Sequence, residues 1–167
     1  MQPKGQTSKE YFKALSIIHA VLLVGQLLFM GALLLSNDNQ ETENSDNLFL
    51  FIAPALAFGG VLGGIFLERT RVNSIKKKKD LKEKVNSYQT TLIMKFALLE
   101  GPSLFALVCY SLTADYTFLA LSGLLILILL ANRPTRDKMI KDLELNREER
   151  SLIENPQAII AEVKINR

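Results

Sequence analysis

The sequence predicts an all-α fold, an integral membrane four-helix bundle with short cytoplasmic amphipathic helices, and three observations carry that reading. First, the mean hydropathy of +0.18 averages two unlike materials: four strongly apolar blocks and polar segments that hold nearly all the charge. Second, the blocks cover about 14–35, 48–67, 92–112 and 116–131, and a helix needs ~20 mostly apolar residues, ~17 at the least, to cross a hydrocarbon core of ~30 Å. The fourth block is slightly short, but the turn 113–115 joins it to the third as a helical hairpin. Third, the stretch ALSGLLILILL has no polar face beyond Ser122. A helix apolar all round must be buried on every side, and a chain of 167 residues does not bury four of them in water. The expected organisation is a transmembrane domain over 1–131 and a cytoplasmic tail over 132–167.

The polar segments set the expected orientation. Lys4, Lys9 and Lys13 precede the first block, and segment 68–89 holds eight basic residues against three acidic ones. The tail from Asn132 holds eight more, whereas 36–47 contains Asp38, Glu41, Glu43 and Asp46 with no Lys or Arg. Short basic loops stay cytoplasmic, which puts both termini and 68–89 inside, at the plasma (inner) membrane. The first block exceeds the 7–15 apolar residues of a signal-peptide core and has no small-x-small cleavage pattern after it, so it is expected to be a retained anchor. Lys76, Lys77, Lys78 and Lys79 form a juxtamembrane cluster. Such clusters attract anionic lipid head groups, and they also serve simply as topology determinants on a solvated face.

Within the first block, His19 and Gln26 are seven apart and share one helix face. Interhelical hydrogen bonds are one reading of that pair, proton handling or ligand binding the other. The second block is the small-residue helix. Ala55, Gly59 and Gly63 make one small-xxx-small row with Gly60 and Gly64 beside it, the pattern of close helix–helix packing. Pro54 is tolerated there because neighbouring helices re-satisfy the freed carbonyl.

The third block carries Glu100, the only acid within the apolar blocks, followed directly by Gly101 and Pro102. An ionisable group inside a membrane is a candidate functional site. Pro102 has no N–H, so the carbonyl of Leu98 loses its helical partner. Ser103 lies on the face of Glu100, whereas Lys95 lies ~140° around the helix and is expected to snorkel to the interface. At ~1.5 Å per residue His19 and Glu100 sit at similar depths, so a contact between them is expected. Two readings of Glu100 stand: a neutral, hydrogen-bonded acid beside a plain kink, or a proton or cation carrier.

In the tail, Pro134 is expected in the first turn of a helix with the apolar stripe Met139, Ile140 and Leu143. Asn146 with Glu149 three residues on matches a helix N-cap, and Pro156 closes that helix. Residues after Gln157 give no strong signal. Cys109 is the only cysteine, so disulfide and paired-thiol chemistry are excluded. No HExxH, GxxxxGK[ST], GxSxG or Cys/His ligand set is present, and no cofactor, metal or catalytic residue is expected. The positive charge lacks any nucleic-acid-binding signature, so the expected partners are membrane lipids, a second copy, or another membrane protein.

Residues 48–112, with Gly59, Gly60, Gly63 and Gly64 in one helix and Glu100 in ALLEGPSLFALV in the next, resemble the helical hairpin of the proteolipid (c or K ring) subunit of rotary ATPases. That resemblance implies an ion-carrying role for Glu100 in an oligomer. The chain departs from that family in its long lysine-rich loop, its paired glycines and its two additional helices, and rotary transport is not carried over. As a whole it also resembles small four-helix bacterial membrane proteins, a likeness that implies no activity. The function expected is a membrane accessory or interaction component without catalysis. The alternative is a bundle that binds or translocates a proton or cation through Glu100.

Overall fold

A computed structural model describes residues 4–36 and 47–163. Along the chain these form strand β1 (Lys4–Thr7), helices α1 (Ser8–Ser36), α2 (Asn47–Lys76), α3 (Leu81–Thr113), α4 (Tyr116–Ala131), α5 (Arg136–Leu143) and α6 (Arg147–Glu154), and strand β2 (Ile159–Val163). The protein is mostly helical. Helices α1, α2 and α3 are long and apolar enough to cross a membrane. The acidic residues from Asp38 to Asp46 lie outside the described residues.

Helices α1, α2 and α3 run past the apolar blocks that nucleate them. The segment 68–89 is therefore almost entirely helical, and only Lys77 to Asp80 form a turn. These polar extensions continue because they pack. The chain divides into two compact units, and each is built from pieces distant in sequence.

The first unit comprises Met1–His19, Phe66–Met94 and Pro134–Arg167. Its core holds Tyr11, Leu15, Val72, Val85, Tyr88, Met139, Leu143, Ile153 and Ile160, all buried. Strands β1 and β2 pair antiparallel, with Gly5 opposite Glu162 and Gln6 opposite Ala161. An all-α reading omits this small sheet. The first turn of α1 then borrows its hydrogen-bond acceptors from the tail: the amides of Ser8 and Lys9 donate to the carbonyls of Ala158 (2.9 Å) and Pro156 (3.1 Å). The Ser8 hydroxyl donates to the carbonyl of Ile153 at 2.6 Å. Thr7 and Glu10 complete a capping box, the Glu10 carboxylate accepting from the Thr7 amide and the Thr7 hydroxyl accepting from the Glu10 amide.

The tail helices start as their caps dictate. Asn146 accepts from the Glu149 amide while the Glu149 carboxylate accepts from the Asn146 amide, so the N-cap expected there is a full capping box. Thr135 caps α5 by accepting from the Lys138 amide at 3.2 Å. Pro134 therefore precedes the cap and is not in the first turn, because a threonine hydroxyl one residue later satisfies the orphan amide that a proline would lack. Helix α6 ends at Glu154, two residues before Pro156.

Polar pairs tie the tail to α2 and α3. The ion pairs include Lys84–Glu149 at 2.6 Å, Lys76–Glu144 at 2.7 Å, Lys138–Glu68 at 3.4 Å and Lys82–Glu162 at 2.5 Å. The Tyr88 hydroxyl donates to Asp142 at 2.8 Å, and the Tyr11 hydroxyl donates to the carbonyl of Val85 at 2.9 Å. The tail helices are thus tied to the helices of segment 68–89, with Met139 and Leu143 of the stripe buried.

The second unit comprises Ala20–Ile65 and Lys95–Arg133. One buried cluster joins Ala53 of α2, Cys109 and Tyr110 of α3 and Phe118 of α4, with Leu33 of α1 packed against it. Most of the unit's large apolar side chains face outward, among them Leu28, Leu35, Phe51, Phe58, Leu124 and Leu127. The turn between α3 and α4 places Ala114 at φ 51°, a left-handed conformation, and Asp115 then caps α4 by accepting from the Thr117 amide at 2.8 Å.

Candidate functional site

The sequence singles out the middle of α3, and the second unit explains how that region is held. Pro102 removes the amide that would bond the Leu98 carbonyl. That freed carbonyl lies against Gly60 of α2: a Cβ on Gly60 would run into it, and would also stand 2.9 Å from the Pro102 ring. The proline and the glycine thus work together, one freeing a carbonyl and the other making room for it. Gly64, one turn on, lies over the aliphatic stem of Lys95, whose Cγ is 3.5 Å from where a Cβ would stand.

The five small residues divide by face. Gly60 and Gly64 are buried in this contact, continuing the line of buried Ala53 and Ala57. Ala55 and Gly59 are exposed and Gly63 is half-buried, with no neighbour among the described residues within 4 Å of a Cβ on either glycine. The two rows look alike in sequence, and the buried one is the row that meets Pro102.

Ser103 is fully buried and shares a 2.9 Å hydrogen bond with Ser122, linking α3 to α4. Glu100 is half-buried, one turn before that pair. Lys95 is 5% exposed, and its ammonium donates to the Asn132 side chain at 2.6 Å. Its ammonium thus reaches the C-terminal end of α4, which Asn132 caps and where unsatisfied carbonyls favour a cation. Gln26 is buried. Its amide nitrogen reaches the Leu22 carbonyl at 3.4 Å, and its side-chain oxygen has no hydrogen-bond partner among the described residues. His19 is buried too and belongs to the first unit.

The lysine cluster is also sorted by the fold. Lys76 is engaged with Glu144, and Lys78 donates to the Ser87 hydroxyl at 2.9 Å. Lys77 and Lys79 are exposed. Sequence reasoning passed over a charged cleft of about 490 Å³ in the first unit, between the end of α2 and α5. Arg69, Lys76, Lys138 and Lys141 line it together with Glu68 and Asp142. Its signals were the 3-residue spacing of Lys138 and Lys141, which puts both on one helix face, and the nearness of Arg69 to the apolar end at Leu67. Among the described residues no group of His, Cys, Asp and Glu could hold a metal ion.

Compared with protein-family models, curated proteins and solved structures, the chain matches none of them. Functional inference therefore rests on its own residues.

Proposed function

We propose that this protein is a multi-pass membrane protein without catalysis of its own, which crosses the plasma (inner) membrane four times and acts as an accessory or interaction component. In this reading α1 to α4 supply the spans, and the first unit is a folded cytoplasmic module offered to a lipid or protein partner. The observation that carries it is the partition of charge between the units. Of twenty Lys and Arg residues, only Lys95 and Arg133 belong to the second unit. Short basic segments are retained in the cytoplasm, so this partition supports an inside location for the first unit. The outward-facing apolar side chains of the second unit suit a lipid surrounding, where apolar exposure carries no penalty.

The competing reading, translocation through Glu100, has support in the half-burial of that acid beside a buried serine pair. Purified protein in liposomes decides between them. We expect proton and cation flux equal to that of empty liposomes, and co-purification of a stoichiometric companion from native membranes in mild detergent. Flux above the empty control that disappears in Glu100→Gln, with assembly intact, would overturn the accessory reading in favour of transport.

A further inference from the structure

We propose that the cleft between the end of α2 and α5 is a phosphate site that takes the head group of an anionic phospholipid. The proposal deepens the membrane reading above and rests on it. Four cationic side chains line the cleft against two carboxylates, leaving an excess of positive charge. The carboxylates are already engaged: Glu68 pairs with Lys138 at 3.4 Å, and Asp142 accepts from the Tyr88 hydroxyl at 2.8 Å. Lys76 is held by Glu144 at 2.7 Å. Arg69 and Lys141 are exposed and make no ion pair among the described residues, so their donors are open to a ligand. A guanidinium grips two phosphate oxygens at once and an ammonium adds a point charge, the combination suited to a phosphate diester.

Position along the chain selects the lipid over a free anion. Arg69 follows the apolar block of α2 by two residues, and Lys138 and Lys141 come shortly after the last apolar residue of α4, Ala131. Both walls of the cleft therefore belong to chain that has just left an apolar span. Basic pockets next to the cytoplasmic ends of spans bind phospholipid head groups, and the surface there is already enriched in anionic lipid. The cleft differs from the Lys77 to Lys79 turn, where Lys77 and Lys79 are exposed and Lys78 is engaged with Ser87.

The test uses the full-length protein in mild detergent with equal mole fractions of phosphatidylglycerol and phosphatidylcholine, bound lipid being counted by native mass spectrometry. The wild type should retain phosphatidylglycerol preferentially. The double variant R69Q/K141Q should lose about thirtyfold in that preference, roughly fivefold for each cation removed near a membrane surface. The variant K77Q/K79Q removes the same charge outside the cleft and should lose clearly less than R69Q/K141Q, since in detergent, with no extended anionic surface, its ammonium groups act only through a screened field. Equal losses in both variants, or no preference in the wild type, would overturn the site. Inorganic phosphate, titrated alone against thermal unfolding, supplies the second arm. Saturable stabilisation by phosphate that R69Q/K141Q abolishes, without lipid preference, overturns the lipid assignment in favour of a soluble phosphate. Circular dichroism checks that each variant is folded. Carbonate extraction of native membranes separates the two ideas: protein that stays in the membrane without a lipid preference sinks this proposal alone, and protein released by carbonate sinks the membrane reading.

Discussion

At the scale of single residues, the contact between Gly60 and the Leu98 carbonyl is the most demanding in the second unit. Substituting Gly60 by alanine forces a methyl group into a backbone oxygen and to within 2.9 Å of the Pro102 ring. Neither the carbonyl nor the proline can give way without moving a helix, because one is backbone of α3 and the other a ring closed onto that backbone. Overpacking of this kind costs about 1–3 kcal/mol. Gly60→Ala should lower the thermal midpoint in detergent micelles accordingly, while Gly59→Ala, with open space at its Cβ, should leave it unchanged or raise it slightly. Equal effects at the two positions would show that the glycines do not differ as described. The sequence marks all five small residues alike for packing, Ala55, Gly59 and Gly63 with Gly60 and Gly64. It did not distinguish Gly60 from Gly59, because neighbouring residues differ only in the face they present, and which face meets α3 depends on Pro102, some forty residues away.

At the scale of elements, legibility followed the range of the interaction. The capping box of α6 was visible because its two partners are three residues apart. Helix α4 begins and ends where its apolar block does. The strand pair was not visible, because each strand is only 4 or 5 residues long and its partner lies at the opposite end of the chain. The same holds for the start of α1, whose amide acceptors are supplied by Pro156 and Ala158. The turn between α3 and α4 offers the sharpest test at this scale. The Thr117 amide donates to Asp115 and holds its carboxyl below the usual carboxylate range. A carboxyl with a depressed folded value contributes stability that is present above its unfolded value and fades as pH falls through the folded one. Helix α4 should therefore loosen at its first turn only in strong acid, below about pH 4. Asp115→Ala should cost about 1 kcal/mol at neutral pH and abolish this acid dependence, whereas Asp115→Asn should keep most of the cap without the titration. Amide exchange at Thr117 and Phe118 reports both, and an acid profile unchanged in Asp115→Ala would refute the assignment.

At the scale of the whole molecule, the division into two units reorganises what the sequence laid out end to end. The tail from Pro134 belongs to the first unit. It is one of three pieces that build the first unit, together with the start of α1 and the polar extensions of α2 and α3. These pieces are also the ones rich in Lys and Arg, so on the proposed membrane reading the retention of basic segments and the folding of the unit ask for the same thing, all three on one side. A chain with the tail and the α3 extension on opposite sides would lose Lys84–Glu149, the most enclosed of the ion pairs named, and would leave Tyr88 without Asp142. Either loss strands a buried polar group, which costs more than an exposed one. On the proposed membrane reading, charge and packing would therefore set the orientation together. Cysteine labelling measures it directly, because Cys109 is buried and its replacement by alanine yields a chain without thiols. In that background, single cysteines placed at Lys79, Arg150 and Tyr116 occupy exposed positions in the Lys-rich turn, in α6 and at the start of α4. A membrane-impermeant maleimide applied to intact cells should label Tyr116→Cys alone, and permeabilisation should add the other two. Labelling of Lys79→Cys and Arg150→Cys from opposite sides would break the first unit apart, and labelling of both from outside would invert the topology that its charge demands.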